Sequence, residues 1–157
     1  MLTIKPGGIF NYVLLKLRKD GIIFYIGGKV EKKSNLEIKN MQPLVLAFVG
    51  DGVHTLFVRK HVSGLGEFKV NQLTRMTKEY VNAGKQCEVF KKIEPMLSED
   101  EKDVARRARN EKKGQIAKNY SPAEYNYATA FEAVVGYLYL TEQNERLNEV
   151  LKISISE

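Results

Sequence analysis

A single cysteine, Cys87, stands in 157 residues. That excludes an internal disulfide and any metal site built from several thiolates, and it agrees with a reducing, cytoplasmic setting. No apolar run approaches the ~20 residues that a membrane-spanning helix needs, so no membrane role is expected. A secretory leader is poorly supported as well. The apolar stretch near the N-terminus is broken by Lys16, Arg18 and Lys19, and no small-residue cleavage site follows. Internal repeats and low-complexity tracts are missing. The pairs Gly7-Gly8 and Gly27-Gly28 lack a following helix with Lys-Ser/Thr, which excludes a Walker-type phosphate loop. Nor does any Ser-His-Asp or Cys-His arrangement offer a nucleophile for covalent catalysis.

What is present fits one domain, or one domain with an appendage. Hydrophobic residues make up 43% of the chain, enough for a core, and charged residues 28%, which suits a soluble protein. The net charge of +6 is unevenly placed. Residues 1–40 hold eight of the 25 basic side chains against three of the 19 acids, so the remainder is almost neutral. Within that remainder, "ARRARNEKKGQIAKN" gathers Arg106, Arg107, Arg109, Lys112, Lys113 and Lys118 around one acid, Glu111. Such a cluster can hold a polyanion even on a near-neutral domain, although the same residues also suit a solvated helix end.

The first ~35 residues differ from the rest. Short β-branched and aromatic runs bounded by glycines suggest a hairpin turning at Lys19-Asp20-Gly21. An isolated hairpin is marginally stable at best, so residues 1–35 are expected to be a poorly ordered extension or to pack on the body. From about Leu36 the pattern is helical. One helix is predicted over Pro43–His61, a second over residues 69–93 with Pro95 ending or kinking it, and a third from the capping box Ser98-Glu99-Asp100-Glu101 to about Asn110. The box Ser121-Pro122-Ala123-Glu124 opens a fourth helix to about Leu140, and a fifth spans Gln143–Leu151. The expected fold class is all-α, with the main domain over residues 36–157.

Two carboxylates sit awkwardly in this pattern. In "AFVGDGVHTLFVR", Asp51 shares a helical face with Leu44, Ala47, Phe48, Thr55 and Val58. In "EYNYATAFEAVVGYLYL", Glu132 is flanked one turn away by Ala128, Thr129, Val135 and Gly136. A buried lone carboxylate is costly unless something compensates it. Should the two helices pack through these faces, one acid takes a proton or both bind a cation, and oxygen ligands among small neighbours suit Mg²⁺. On spacing alone, pairing of each acid with a nearby Arg or Lys, or a place at the helix rim, is the better account of the pattern.

Taken together, "LVLAFVGDGVHTLFVRK" and "ATAFEAVVGYLYL" resemble the two signature segments of the ribonuclease III catalytic domain. The Mini-ribonuclease III branch, a catalytic domain without a double-stranded-RNA-binding domain, is the nearer match. Its features recur in "NQLTRMTKEYVNAGKQ", "RARNEK", Lys118-Asn119 and Tyr125, over about residues 36–152. The resemblance implies a homodimeric, Mg²⁺-dependent endoribonuclease that cuts double-stranded RNA, leaving 5′-phosphate and 3′-hydroxyl ends. Asp51 and Glu132 then stand at the catalytic, metal-binding positions, and Arg106, Arg107, Arg109, Lys112, Lys113 and Lys118 are the candidate RNA contacts. It further implies maturation of the large-subunit (23S) ribosomal RNA precursor, with a ribosomal protein as a candidate partner. Two departures matter. Ordinary ribonuclease III carries further acids where this chain has Ala47 and Thr129, which leaves a non-catalytic RNA-binding or ribosome-assembly protein on the same fold as the alternative. His54 stands where a tyrosine is expected. Residues 1–29 have no counterpart in that branch, so translation is expected to begin near Val30; N-terminal sequencing returning Met1 or Leu2 would reject this.

Overall fold

Three serines set the starts of three helices. Ser34, Ser98 and Ser121 each accept a hydrogen bond from the backbone N–H three residues on, while Glu37, Glu101 and Glu124 reach back to the serine N–H. The computed structural model describes residues 33–111 and 121–156, together with the strand segments 14–18 and 21–25. The chain divides into two units, residues 1–33 and 34–157.

In the first unit, strands β1 (Leu14–Arg18) and β2 (Gly21–Tyr25) pair antiparallel, Leu14 opposite Tyr25 and Arg18 opposite Gly21. The hairpin is the expected one; its turn residues Lys19 and Asp20 lie outside the described residues.

All described secondary structure in the second unit is helical. It comprises α1 (Asn35–Lys39), α2 (Pro43–Ser63), α3 (Val70–Val81), α4 (Ala83–Ile93), a 3₁₀ turn (Glu94–Met96), α5 (Glu99–Asn110), α6 (Pro122–Leu140) and α7 (Asn144–Ile155). The helix predicted over 69–93 is in fact two. Asn82 adopts an extended conformation between them and works both ways: its Nδ2 donates to the Lys78 and Glu79 carbonyls at 3.0 and 2.9 Å, and its Oδ1 accepts from the Lys85 N–H at 2.9 Å. One side chain thus closes α3 and caps α4. Pro95, which cannot supply a backbone N–H, falls in the 3₁₀ turn that ends α4. The last helix runs four residues beyond its expected end, to Ile155.

The central element is α6. From Ala128 to Leu138 every residue except Glu132 is buried, as befits a helix that is apolar on all sides. Helices α2, α4, α5 and α7 surround it. Leu46, Phe90, Ile93, Val104, Phe131, Val134, Leu138 and Val150 make up the heart of the core, each worth about 1.5–3 kcal/mol when a side chain of its size is buried. A charged clamp joins the periphery: Arg146 on α7 donates from Nε and Nη2 to the buried Glu101 carboxylate, both at 3.0 Å, and to the Met96 carbonyl at 2.8 Å. No helix among the described residues is long and apolar enough to cross a membrane.

Candidate active site

The two carboxylates are set by one helix crossing. Gly50 on α2 and Gly136 on α6 allow the backbones to touch. A Cβ on Gly50 would lie 1.8 Å from the Glu132 carbonyl oxygen, and one on Gly136 would lie 2.0 Å from the Leu46 carbonyl oxygen. Residue 50 therefore abuts residue 132, which brings Asp51, the next residue along α2, to the same crossing as Glu132. Glu132 is half-buried, the one interruption in the buried run of α6.

Asp51 is exposed, which corrects the expectation that it lies on a core face. The stripe of α2 that enters the core is Pro43, Leu46, Ala47, Gly50, His54, Val58 and Val62. Of the residues read as Asp51's apolar neighbours, Ala47 and Val58 belong to that buried stripe, Thr55 is half-buried, and Leu44 and Phe48 face outward at 38% and 82% exposure. The Thr55 hydroxyl lies 3.5 Å from Asp51 Oδ1, at the long limit of a hydrogen bond. Asp51 thus lies at the edge of an uncovered apolar strip rather than within the core.

His54 holds the core position instead. It is fully buried, its ring meets Phe131 edge-to-face at 4.9 Å, and its Nδ1 lies 3.4 Å from Gln86 Nε2 on α4. With the glutamine amide donating, Nδ1 is the acceptor and the proton sits on Nε2, which has no partner. Burial pushes the imidazole pKa down to about 4, so it is neutral near pH 7 and serves packing.

The positions lacking the second pair of acids are closed. Ala47 and Thr129 are each 5% exposed, and the Thr129 hydroxyl donates to the Tyr125 carbonyl at 2.9 Å. Among the described residues, no group of three or more His, Cys, Asp or Glu side chains is arranged to hold a metal. The acids at the crossing are Asp51, exposed on α2, and Glu132, half-buried on α6. That suits a hard cation such as Mg²⁺, which keeps several waters and takes only one or two carboxylates.

The basic residues diverge. Arg106 and Arg107 both pair with Asp103, at 2.6 and 3.2 Å, and the Arg106 hydrogen bond leads in holding that carboxyl below its usual range. Arg107 also donates to the Lys39 and Met41 carbonyls, which commits its donors to the connection between α1 and α2. Arg109 reaches Glu94 at 3.5 Å and lies over the Tyr127 ring. Lys112, Lys113 and Lys118 lie outside the described residues. Sequence reasoning did not single out Lys91 or Tyr127, which join Arg109 in space. Their positions on separate helices leave no linear signal.

This fold, with its glycine crossing, has recognised kin. The ribonuclease III domain family matches residues 44–143, spanning α2 through the end of α6. The chain belongs to the ribonuclease III family of endoribonucleases. Among its relatives are the Mini-ribonuclease 3 of Thermoanaerobacter sp. (strain X514), 43% identical over 118 residues that cover 75% of this chain and 83% of that one, and the Mini-ribonuclease 3 of Symbiobacterium thermophilum, 46% identical over 112 residues that cover 71% and 86%. A crystal structure of a protein from Fusobacterium nucleatum superposes with a TM-score of 0.70 at 34% identity, covering 76% of this chain and 95% of that one.

Proposed function

We propose that the chain is a Mg²⁺-dependent, double-strand-specific endoribonuclease that acts as a cytoplasmic homodimer. The observation that supports this reading is the backbone contact between Gly50, one residue before Asp51, and Glu132, in a chain whose residues 44–143 match the ribonuclease III domain. Hydrolysis of a phosphodiester needs an activated water, charge stabilisation on the phosphate and help for the departing 3′ oxygen. A divalent ion supplies the first two when bound. Asp51 and Glu132 are the residues that would hold it.

Duplex RNA presents phosphates and 2′-hydroxyls rather than readable base edges, so its recognition falls to surface cations. Arg106, Arg109, Lys112, Lys113 and Lys118 are proposed for that role. Arg107 is proposed only in part, since its donors already serve the fold. The large-subunit (23S) ribosomal RNA precursor is the proposed substrate, with a ribosomal protein helping to deliver it. That assignment rests on the resemblance of the chain to its branch of the family.

The deciding experiment is cleavage of a long duplex RNA in Mg²⁺ and in EDTA, by wild type and by Asp51→Asn. Fragments with 5′-phosphate ends from wild type in Mg²⁺ alone, and none from Asp51→Asn, are the expected result. Duplex binding by wild type without cleavage would instead establish the non-catalytic RNA-binding protein as the better reading. Ala47 and Thr129 would then mark where activity was lost.

A further inference from the structure

Two cations and one aromatic ring converge from three helices at a place no cleavage step requires. Lys91 on α4 has its Nζ 5.8 Å from the centre of the Tyr127 ring, and the Arg109 guanidinium on α5 lies 5.4 Å from the same centre. Tyr127 stands in the second turn of α6, half-buried, with Phe90 behind it at 5.6 Å and tilted by 36°. The electron-rich ring attracts each of the two cations. It also restrains two long side chains, so less rotamer entropy is lost when they close on a ligand.

The charge of this pair is only loosely neutralised. Arg109 meets Glu94 at 3.5 Å, with about a third of the guanidinium side chain and nearly half of the glutamate exposed (36% and 46%). Lys91 is exposed and makes no ion pair among the described residues. Glu124 feels the Lys91 charge, but no ion pair joins them, and its Oε2 accepts from both the Ser121 N–H and hydroxyl at 2.8 and 2.7 Å. Arg106 and Arg146, by contrast, meet carboxylates at 2.6 and 3.0 Å.

We infer that Lys91 and Arg109, held by Tyr127, contact phosphates of the RNA backbone, and that Glu94 competes with those phosphates for Arg109. The planar guanidinium is suited to a phosphate fork and the ammonium to a point contact. This inference rests on the nuclease reading and assigns part of its substrate grip. Tyr127 is a positioning residue: its ring holds the cations, and its hydroxyl is not needed.

The test measures binding of the full chain to a labelled RNA duplex, without divalent ions, across a series of KCl concentrations. Lys91→Gln and Arg109→Gln are each expected to weaken binding and lower the salt slope by about one, the signature of one lost phosphate contact. Tyr127→Phe should bind as wild type does. Tyr127→Leu should weaken binding with no change in net charge, and Glu94→Gln should tighten it. Wild-type affinity and slope in both glutamine variants, each confirmed folded by circular dichroism, would overturn the inference while leaving the nuclease reading intact. Wild type that neither binds nor cuts the duplex would overturn both. Lys91 is exposed and Arg109 half-buried, and the circular dichroism check separates a folding failure from a binding loss.

Discussion

His54 shows how one residue can mislead a reading of a helix and still be tested. The apolar residues of α2 admit two stripes, one through 44, 48, 51 and 55 and one through 46, 50, 54, 58 and 62. A helix that is greasy on most sides gives periodicity little to choose between. A polar ring at His54 hides the second stripe from a count of apolar residues, and the first stripe puts Asp51 on the core face in its place. Glu132 is easier to place: most of its neighbours on α6 are apolar or small, and it is half-buried in a buried run. The buried imidazole has a consequence for pH. Its folded pKa, about 4, lies below the ordinary value of 6.5, so the unfolded chain binds the extra proton first. Stability is then full above pH 6.5 and falls as the pH drops towards 4, by on the order of 3 kcal/mol from this group. Urea denaturation of wild type and of His54→Gln between pH 7 and 4.5 checks it. The wild type should lose more stability over that range than the variant, whose curve retains only the carboxylate contribution. Parallel curves would refute the assignment.

Between helices, the most exacting contact is the one that uses no side chains. A methyl group at Gly50 would overlap the Glu132 carbonyl at 1.8 Å, and backbone cannot swing aside as a flexible side chain can. Gly50→Ala is therefore expected to cost about 3 kcal/mol in stability, and to lower cleavage further by parting Asp51 from Glu132. Gly52, with open space around it within its own chain, is the control for intrachain packing: Gly52→Ala should leave the fold of the single chain unchanged or slightly more stable. Equal midpoints for Gly50→Ala and wild type in thermal denaturation would show that α2 and α6 have room to separate. The α5–α7 clamp makes a second prediction. Arg146→Met strands the buried Glu101 carboxylate, at a cost of about 3–5 kcal/mol, and adding Glu101→Gln should recover part of it. Helix starts were legible because Ser-x-x-Glu states a local chemistry. The break at Asn82 carried a signal too, in an asparagine followed by a small residue and glycine, but the apolar period runs through it from Val70 to Ile93 and outweighed it. The glycine crossing was not legible, because Gly50 and Gly136 meet only once the helices are packed.

At the scale of the whole molecule, the all-helical class was readable from caps and spacing, whereas the surface left uncovered was not. Phe48 and Leu56 are 82% and 70% exposed on one side of α2, with Leu44 and Val45 near 40%, a concentration of apolar side chains on a single helix. Isolated exposed leucines need no explanation, but a contiguous strip of this kind marks an interaction surface. The proposed homodimer supplies an occupant, since a second copy would bring its own α2 face, and Asp51 would then stand at the rim of the joint. Phe48→Glu places a charge in the middle of that strip without touching the core, so the helix content should stay as it is. Sedimentation equilibrium should find wild type as a dimer and Phe48→Glu as a monomer, with duplex cleavage reduced in proportion to the dimer lost. A wild type that sediments as a monomer would dispose of the homodimer. A Phe48→Glu variant that remains dimeric and active would move the contact to another face, with Leu65, Phe68 and Val70, the exposed apolar residues between α2 and the start of α3, next in line.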